Sequence, residues 1–169
     1  MEANTVKESF ETKGQDEQST ESMKLPIPII LCGKAVEMGE MVSRLIQPEL
    51  QVIHFINTFE DAKAHLGSLV AGHGPKSPSS NHVGTHDYSK PPRAVIFGRG
   101  YSAAHVKELY HLFRGKASHP IAWIAGDPDV KPPTFPPGQN YAEKAADNVK
   151  RAFAKWSDAG GVNEDLVYY

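Results

Sequence analysis

The sequence predicts an α/β domain of the Rossmann-like or flavodoxin-like kind, a three-layer sandwich whose four-stranded parallel sheet, ordered 2-1-3-4, carries about four helices. Two observations predict it. Short apolar runs at Ile27 to Cys32, Val52 to Ile56, Ala94 to Phe97 and Ile121 to Ala125 alternate with stretches whose apolar residues recur at helical spacing. That alternation is the pattern of parallel strands joined by right-handed helical crossovers. The runs are also apolar at nearly every position, His54 being the exception, as strands covered on both faces are. A chain of 169 residues suffices for one domain, because chains of this size bury roughly two-thirds of the surface they expose when unfolded.

Residues 1–24 carry Glu, Lys, Gln, Ser and Thr with almost no apolar run. They cannot offset the entropy of ordering themselves and read as a disordered acidic tail, leaving residues 25–169 as the domain. In the first strand Pro28 must lie near the beginning, where a missing N–H is tolerated. Val36, Met41, Val42, Leu45 and Ile46 then give a helix that Pro48 closes. After the second strand Thr58 can cap a helix, with Asp61 at the reciprocal capping position and Phe59, Ala62, Leu66, Leu69 and Val70 on its apolar face. Gly72 ends it.

The stretch from His73 to Pro92 is rich in Gly, Pro, Ser, Asn and His. It exceeds an ordinary connection in a compact domain and reads as a flexible insertion. Ser102 caps a third helix, carrying Val106, Leu109, Tyr110 and Phe113, which stops at Gly115. Beyond the fourth strand, Pro128, Pro132, Pro133, Pro136 and Pro137 impose an extended crossing. Ala142, Ala145, Ala146, Val149, Phe153 and Trp156 mark a long amphipathic helix from Tyr141 to Ala159, ended by Gly160 and Gly161. Leu166, Val167, Tyr168 and Tyr169 can return to the body of the protein, whether as a strand being left open by the pattern.

Composition narrows the function classes. A net charge of -2 gives no field that draws nucleic acid or an anionic membrane. No run approaches the roughly 18 apolar residues of a membrane span, and no signal-peptide core precedes the domain. Cys32 is the single cysteine, so no intramolecular disulfide forms and a reducing, cytoplasmic location is the simplest reading.

In an open parallel sheet, ligands bind outside the carboxyl ends of the strands at the switch point between the first and third. Gly33 and Lys34 follow strand one, Asn57 follows strand two, and Asp127 lies just after strand four. Strand three ends in Gly98, Arg99, Gly100, Tyr101 and Ser102. In that turn the glycines allow close backbone approach, and Ser102 opens a helix whose free N–H groups favour a small anionic ligand. Lys34 and Arg99 would add positive charge. The competing reading is a plain strand-to-helix turn, with Arg99 paired to Asp127 at the surface and Tyr101 packed over the sheet edge.

Other chemistries lack their signatures. Gly33 and Gly39 do not complete G-x-G-x-x-G, and Asn57 stands where a dinucleotide fold offers an acid to the ribose, so NAD(P) is weakly supported. P-loop and G-x-S-x-G sequences are absent. His73, His82 and His86 read as solvated loop side chains instead of metal ligands. Cys32 reads as core, and His105 and His111 fall on different faces of their helix.

The segments Ile29-Ile30-Leu31-Cys32-Gly33-Lys34, Val52-Ile53-His54-Phe55-Ile56 and Pro91-Pro92-Arg93-Ala94-Val95-Ile96-Phe97-Gly98 resemble a group of short, uncharacterised fungal proteins with a Rossmann-like core. The resemblance covers Pro26 to Tyr169. It implies a fold and a fungal origin and brings no catalytic residue with it. Three readings follow: an accessory protein binding a small anion at the sheet edge, an NAD(P)-dependent oxidoreductase-like enzyme, and an interaction module or homodimer meeting a protein partner.

Overall fold

A computed structural model of the chain describes residues 24–130 and 138–169. Residues 1–23 of the expected disordered tail and the prolines from Pro132 to Pro137 lie outside the described residues. The elements are β1 (Ile27–Cys32), α1 (Val36–Leu45), β2 (Leu50–Ile56), α2 (Phe59–Val70), β3 (Ala94–Phe97), α3 (Ala103–Phe113), β4 (Ala122–Ala125), α4 (Gln139–Asp158) and β5 (Leu166–Tyr168). The strands form one parallel sheet in the order β2-β1-β3-β4-β5.

The sheet therefore has five strands where the sequence predicts four. Leu166, Val167 and Tyr168 pair in parallel with Trp123, Ile124 and Ala125. Glu164 sets this strand in place. Its carbonyl accepts from the Tyr110 phenol at 2.7 Å, and its Oε1 accepts from Trp123 Nε1 at 3.3 Å and from the Gly115 N–H at 3.4 Å. The Trp156 indole donates to the Asn163 carbonyl one residue earlier. The apolar run from Leu166 to Tyr169 is as long as that of β3 but only half buried, and tertiary hydrogen bonds define the strand.

Helix starts follow the expected chemistry. Thr58 and Ser102 accept from the N–H groups of Asp61 and His105, both at 3.1 Å, each satisfying a donor that the first helical turn leaves free. Gly115 has φ +75°, the left-handed conformation that stops α3 at little cost.

Each face of the sheet carries two helices. Ile29, Leu31, Val52, Phe55, Ile96 and Ile124 pack with α1 and α4. Ile30, Cys32, Ile56, Val95, Phe97 and Trp123 pack with α2 and α3. Val52 and Phe55 lie an odd number of residues apart yet share a face. A bulge makes this possible: Ile29 pairs with Val52 but Ile30 pairs with His54, leaving Ile53 as an extra residue.

The segment expected to be an inserted loop contains no helix or strand. It lies along β2, an edge strand, with the N–H groups of Thr85 and His86 donating to Val52 and Ile53 at 3.0 and 2.9 Å. Asn81 Nδ2 donates to the Phe55 carbonyl at 2.8 Å. Backbone groups that an edge would leave open are thus occupied. Among the described residues no helix is long and apolar enough to cross a membrane.

Candidate functional site

Where the carboxyl ends of β1 and β3 separate, a cleft opens between α1, α4 and the end of β5. Gly33, Lys34, Gly98, Arg99 and Gly100 line it, joined by Met38, Phe55, Tyr141 and Tyr169. Its cavity volume is about 80 Å³, room for a handful of heavy atoms given that one water needs roughly 10–15 Å³. The walls are overwhelmingly apolar, and Lys34 and Arg99 are the charged residues among them.

Small residues shape the floor. A Cβ on Gly39 would stand 2.5 Å from Phe55 Cε2, and one on Gly33 would stand 3.3 Å from the same atom. The bare backbone at both positions admits the Phe55 ring beneath the cleft. Ala35 supplies no side-chain cap to α1, so the free N–H groups of that helix start beside Lys34.

Arg99 is the partition between this cleft and a second depression. Tyr101, Ser102, Gly126, Asp127 and Tyr168 line the latter, whose volume is about 210 Å³. Arg99 Nη2 donates to the Tyr169 carbonyl at 3.1 Å, and its guanidinium lies 4.8 Å from the centre of the Tyr169 ring. Its Nε is buried without a hydrogen-bond partner. Burial, helped by nearby Tyr141 and opposed by Arg99, pushes the Tyr169 phenol up to about 12. Gly126 makes space for Arg99, since a Cβ there would overlap Arg99 Cγ.

The structure brings most of the sequence-predicted residues together, in two groups. Gly33, Lys34, Gly98 and Gly100 meet in the apolar cleft, Tyr101, Ser102 and Asp127 in the second depression, and Arg99 touches both. Asn57 borders neither; its Oδ1 accepts from Ser80 at 3.3 Å. The Tyr101 phenol turns inward, donating to the carbonyls of Ile56 and Thr58 at 3.1 Å each. Burial raises its pKa far above the ordinary phenol value. Asp127 accepts from the Asp129 N–H at 2.9 Å, and its own N–H donates to Tyr169 at 2.9 Å. Cys32 is fully buried, which pushes its thiol pKa well up and leaves it protonated core.

Over 143 residues the chain is 29% identical to Kojic acid related protein 6 of Aspergillus oryzae (strain ATCC 42149 / RIB 40). The match spans 85% of this chain and 86% of that protein. This chain is thus similar to a fungal protein along nearly its whole length. No family model and no solved structure matches it.

Phe55, Met38, Tyr141 and Tyr169 are among the cleft residues that sequence reasoning missed. Three of them arrive from β2, α4 and the residue after β5, where nothing local marks them. Gly39 carried a usable signal, because a glycine inside a helical pattern often marks a close approach. No three His, Cys, Asp or Glu side chains among the described residues gather as a metal site. His82 is exposed with Nε2 at 3.7 Å from a Glu40 carboxylate oxygen, whereas His86 turns inward toward His54, their ring centres 5.8 Å apart.

Proposed function

We propose that this chain is an accessory protein that binds a small, flat, largely apolar molecule carrying one anionic group at the carboxyl edge of its sheet. The cleft at the β1–β3 junction is the single observation that carries this reading. Its strand order is that of flavodoxin-type doubly wound sheets, whose ligands sit at this switch point. A mostly apolar lining with few charged groups is the composition of small-molecule sites. Lys34 at the rim supplies attraction for the anion, while Arg99 is already engaged with Tyr169. The cavity is far smaller than a dinucleotide, which disfavours the NAD(P) reading.

Thermal stabilisation of the purified chain tests this against small aromatic and heteroaromatic carboxylates, sugar phosphates and nicotinamide cofactors. The name of the Aspergillus relative makes kojic acid, a small oxygenated ring, a further probe. A ligand specific to the native state at a hundred times its dissociation constant adds about 2.7 kcal/mol. A flat apolar anion should raise Tm, and Lys34→Gln should remove most of the rise. A rise with nicotinamide cofactors alone, or none with any probe, would reject the proposal.

A further inference from the structure

Away from the cleft, a second group of side chains converges where residues 73–92 meet β2. His54 is 3% exposed, a buried ionisable imidazole. Its Nδ1 stands 2.7 Å from the Tyr88 phenol. The ring centre of His86 is 5.8 Å away, and His86 Nε2 is buried with no hydrogen-bond partner. The same segment places two residues at positive φ, Gly84 at +99° and His86 at +57°. A Cβ on Gly84 would stand 3.0 Å from the Ile53 backbone, so the segment presses directly on the bulge. His86 holds a conformation that non-glycine residues adopt at a cost, and the contacts to β2 maintain it.

We propose that residues 73–92 form an acid-released latch, in which protonation of His54 lifts the segment away from β2. The segment is fastened by a few backbone bonds, the Asn81 amide, the buried Val83 and the Tyr88 phenol. Of these, the Tyr88 phenol meets the His54 imidazole directly, while Val83 packs with Val52 and Phe55 on the opposite face of the sheet. A charge on His54 is opposed first by loss of solvent and then by two more imidazoles, His86 on the segment and His65 on α2; Asp61 on α2 favours it. Tyr88 faces it from the segment, and Ile30, its neighbour on β1, does not titrate. The Tyr88 contact can survive protonation with Nδ1 donating, so the driving force is the cost of the enclosed charge.

These causes lower the His54 pKa from 6.5 to about 4. A group whose pKa is depressed in the closed state favours closure fully above its ordinary value, and that preference is lost as pH falls toward the depressed one. Opening should therefore rise about twenty-fold between pH 7 and 5 and on the order of a hundred-fold by pH 4.

Hydrogen exchange of the full chain, corrected for the intrinsic effect of pH on exchange, measures this. The amides of Thr85 and His86 should lose protection from pH 7 to 4 while those of β1 and β3 keep theirs. His54→Gln, which cannot take a proton, should flatten the dependence, whereas His86→Gln should retain most of it. NMR titration of the imidazoles in the unaltered chain is a second readout, with the opening midpoint expected to follow the His54 ring. Opening that is independent of pH, that persists unchanged in His54→Gln, or that follows His65 or His86 while His54 stays neutral would overturn the proposal.

Discussion

The Phe55 ring shows how much one side chain decides. It fills the space left by two bare glycine positions and forms the floor of the cleft, so the volume available to a ligand is set by what is missing at residues 33 and 39. Gly39→Ala would drive a methyl into the ring, and overpacking of this kind costs roughly 1–3 kcal/mol. Urea unfolding of the variant should show a lower midpoint at unchanged slope, and any ligand that stabilises the native chain should stabilise the variant less. Arg99 carries a different lesson. Its charge and position after β3 were legible in the sequence as a candidate anion contact, but its engagement by Tyr169, seventy residues later, was not. Long-range partners of a polar side chain leave no trace in local pattern.

Elements were legible where local chemistry specified them. The two helices begun by Thr58 and Ser102 announced themselves through a side-chain oxygen placed before an apolar-periodic stretch. The four buried strands did so through short, mostly apolar runs, interrupted in β2 by His54. The bulge at Ile53 was invisible for the opposite reason: a run apolar at nearly every position fits either parity, so it cannot reveal that one residue drops out of the ladder. The fifth strand was missed because its position depends on Glu164, a residue with no strand signal of its own. Glu164→Ala tests that dependence. It removes the acceptor of the buried Trp123 indole N–H, and leaving such a donor unmet costs about 1–3 kcal/mol, whereas the exposed Gly115 amide can turn to water. The fluorescence of Trp123 should change in the folded state, and the amides of β5 should lose exchange protection well before those of β1.

At the scale of the whole molecule, the strand order divides the described sheet unevenly. β1 with β2, β3 with β4, and β4 with β5 are neighbours both in space and along the chain; β1 with β3 is the exception. The segment 73–92 is the connection that crosses between the two sides of that seam. Proteolytic cleavage within it would leave two fragments, each keeping its own strand–helix–strand unit, and these should reassociate, with co-elution on size exclusion as the measurement. Fragments that stay apart would show that the seam needs covalent continuity. The cleft lies on this same seam, with Gly33 and Lys34 from one fragment facing Gly98 and Gly100 from the other. A molecule bound there would act as a rivet between the halves, holding the severed protein together by the same free energy with which it steadies the intact one.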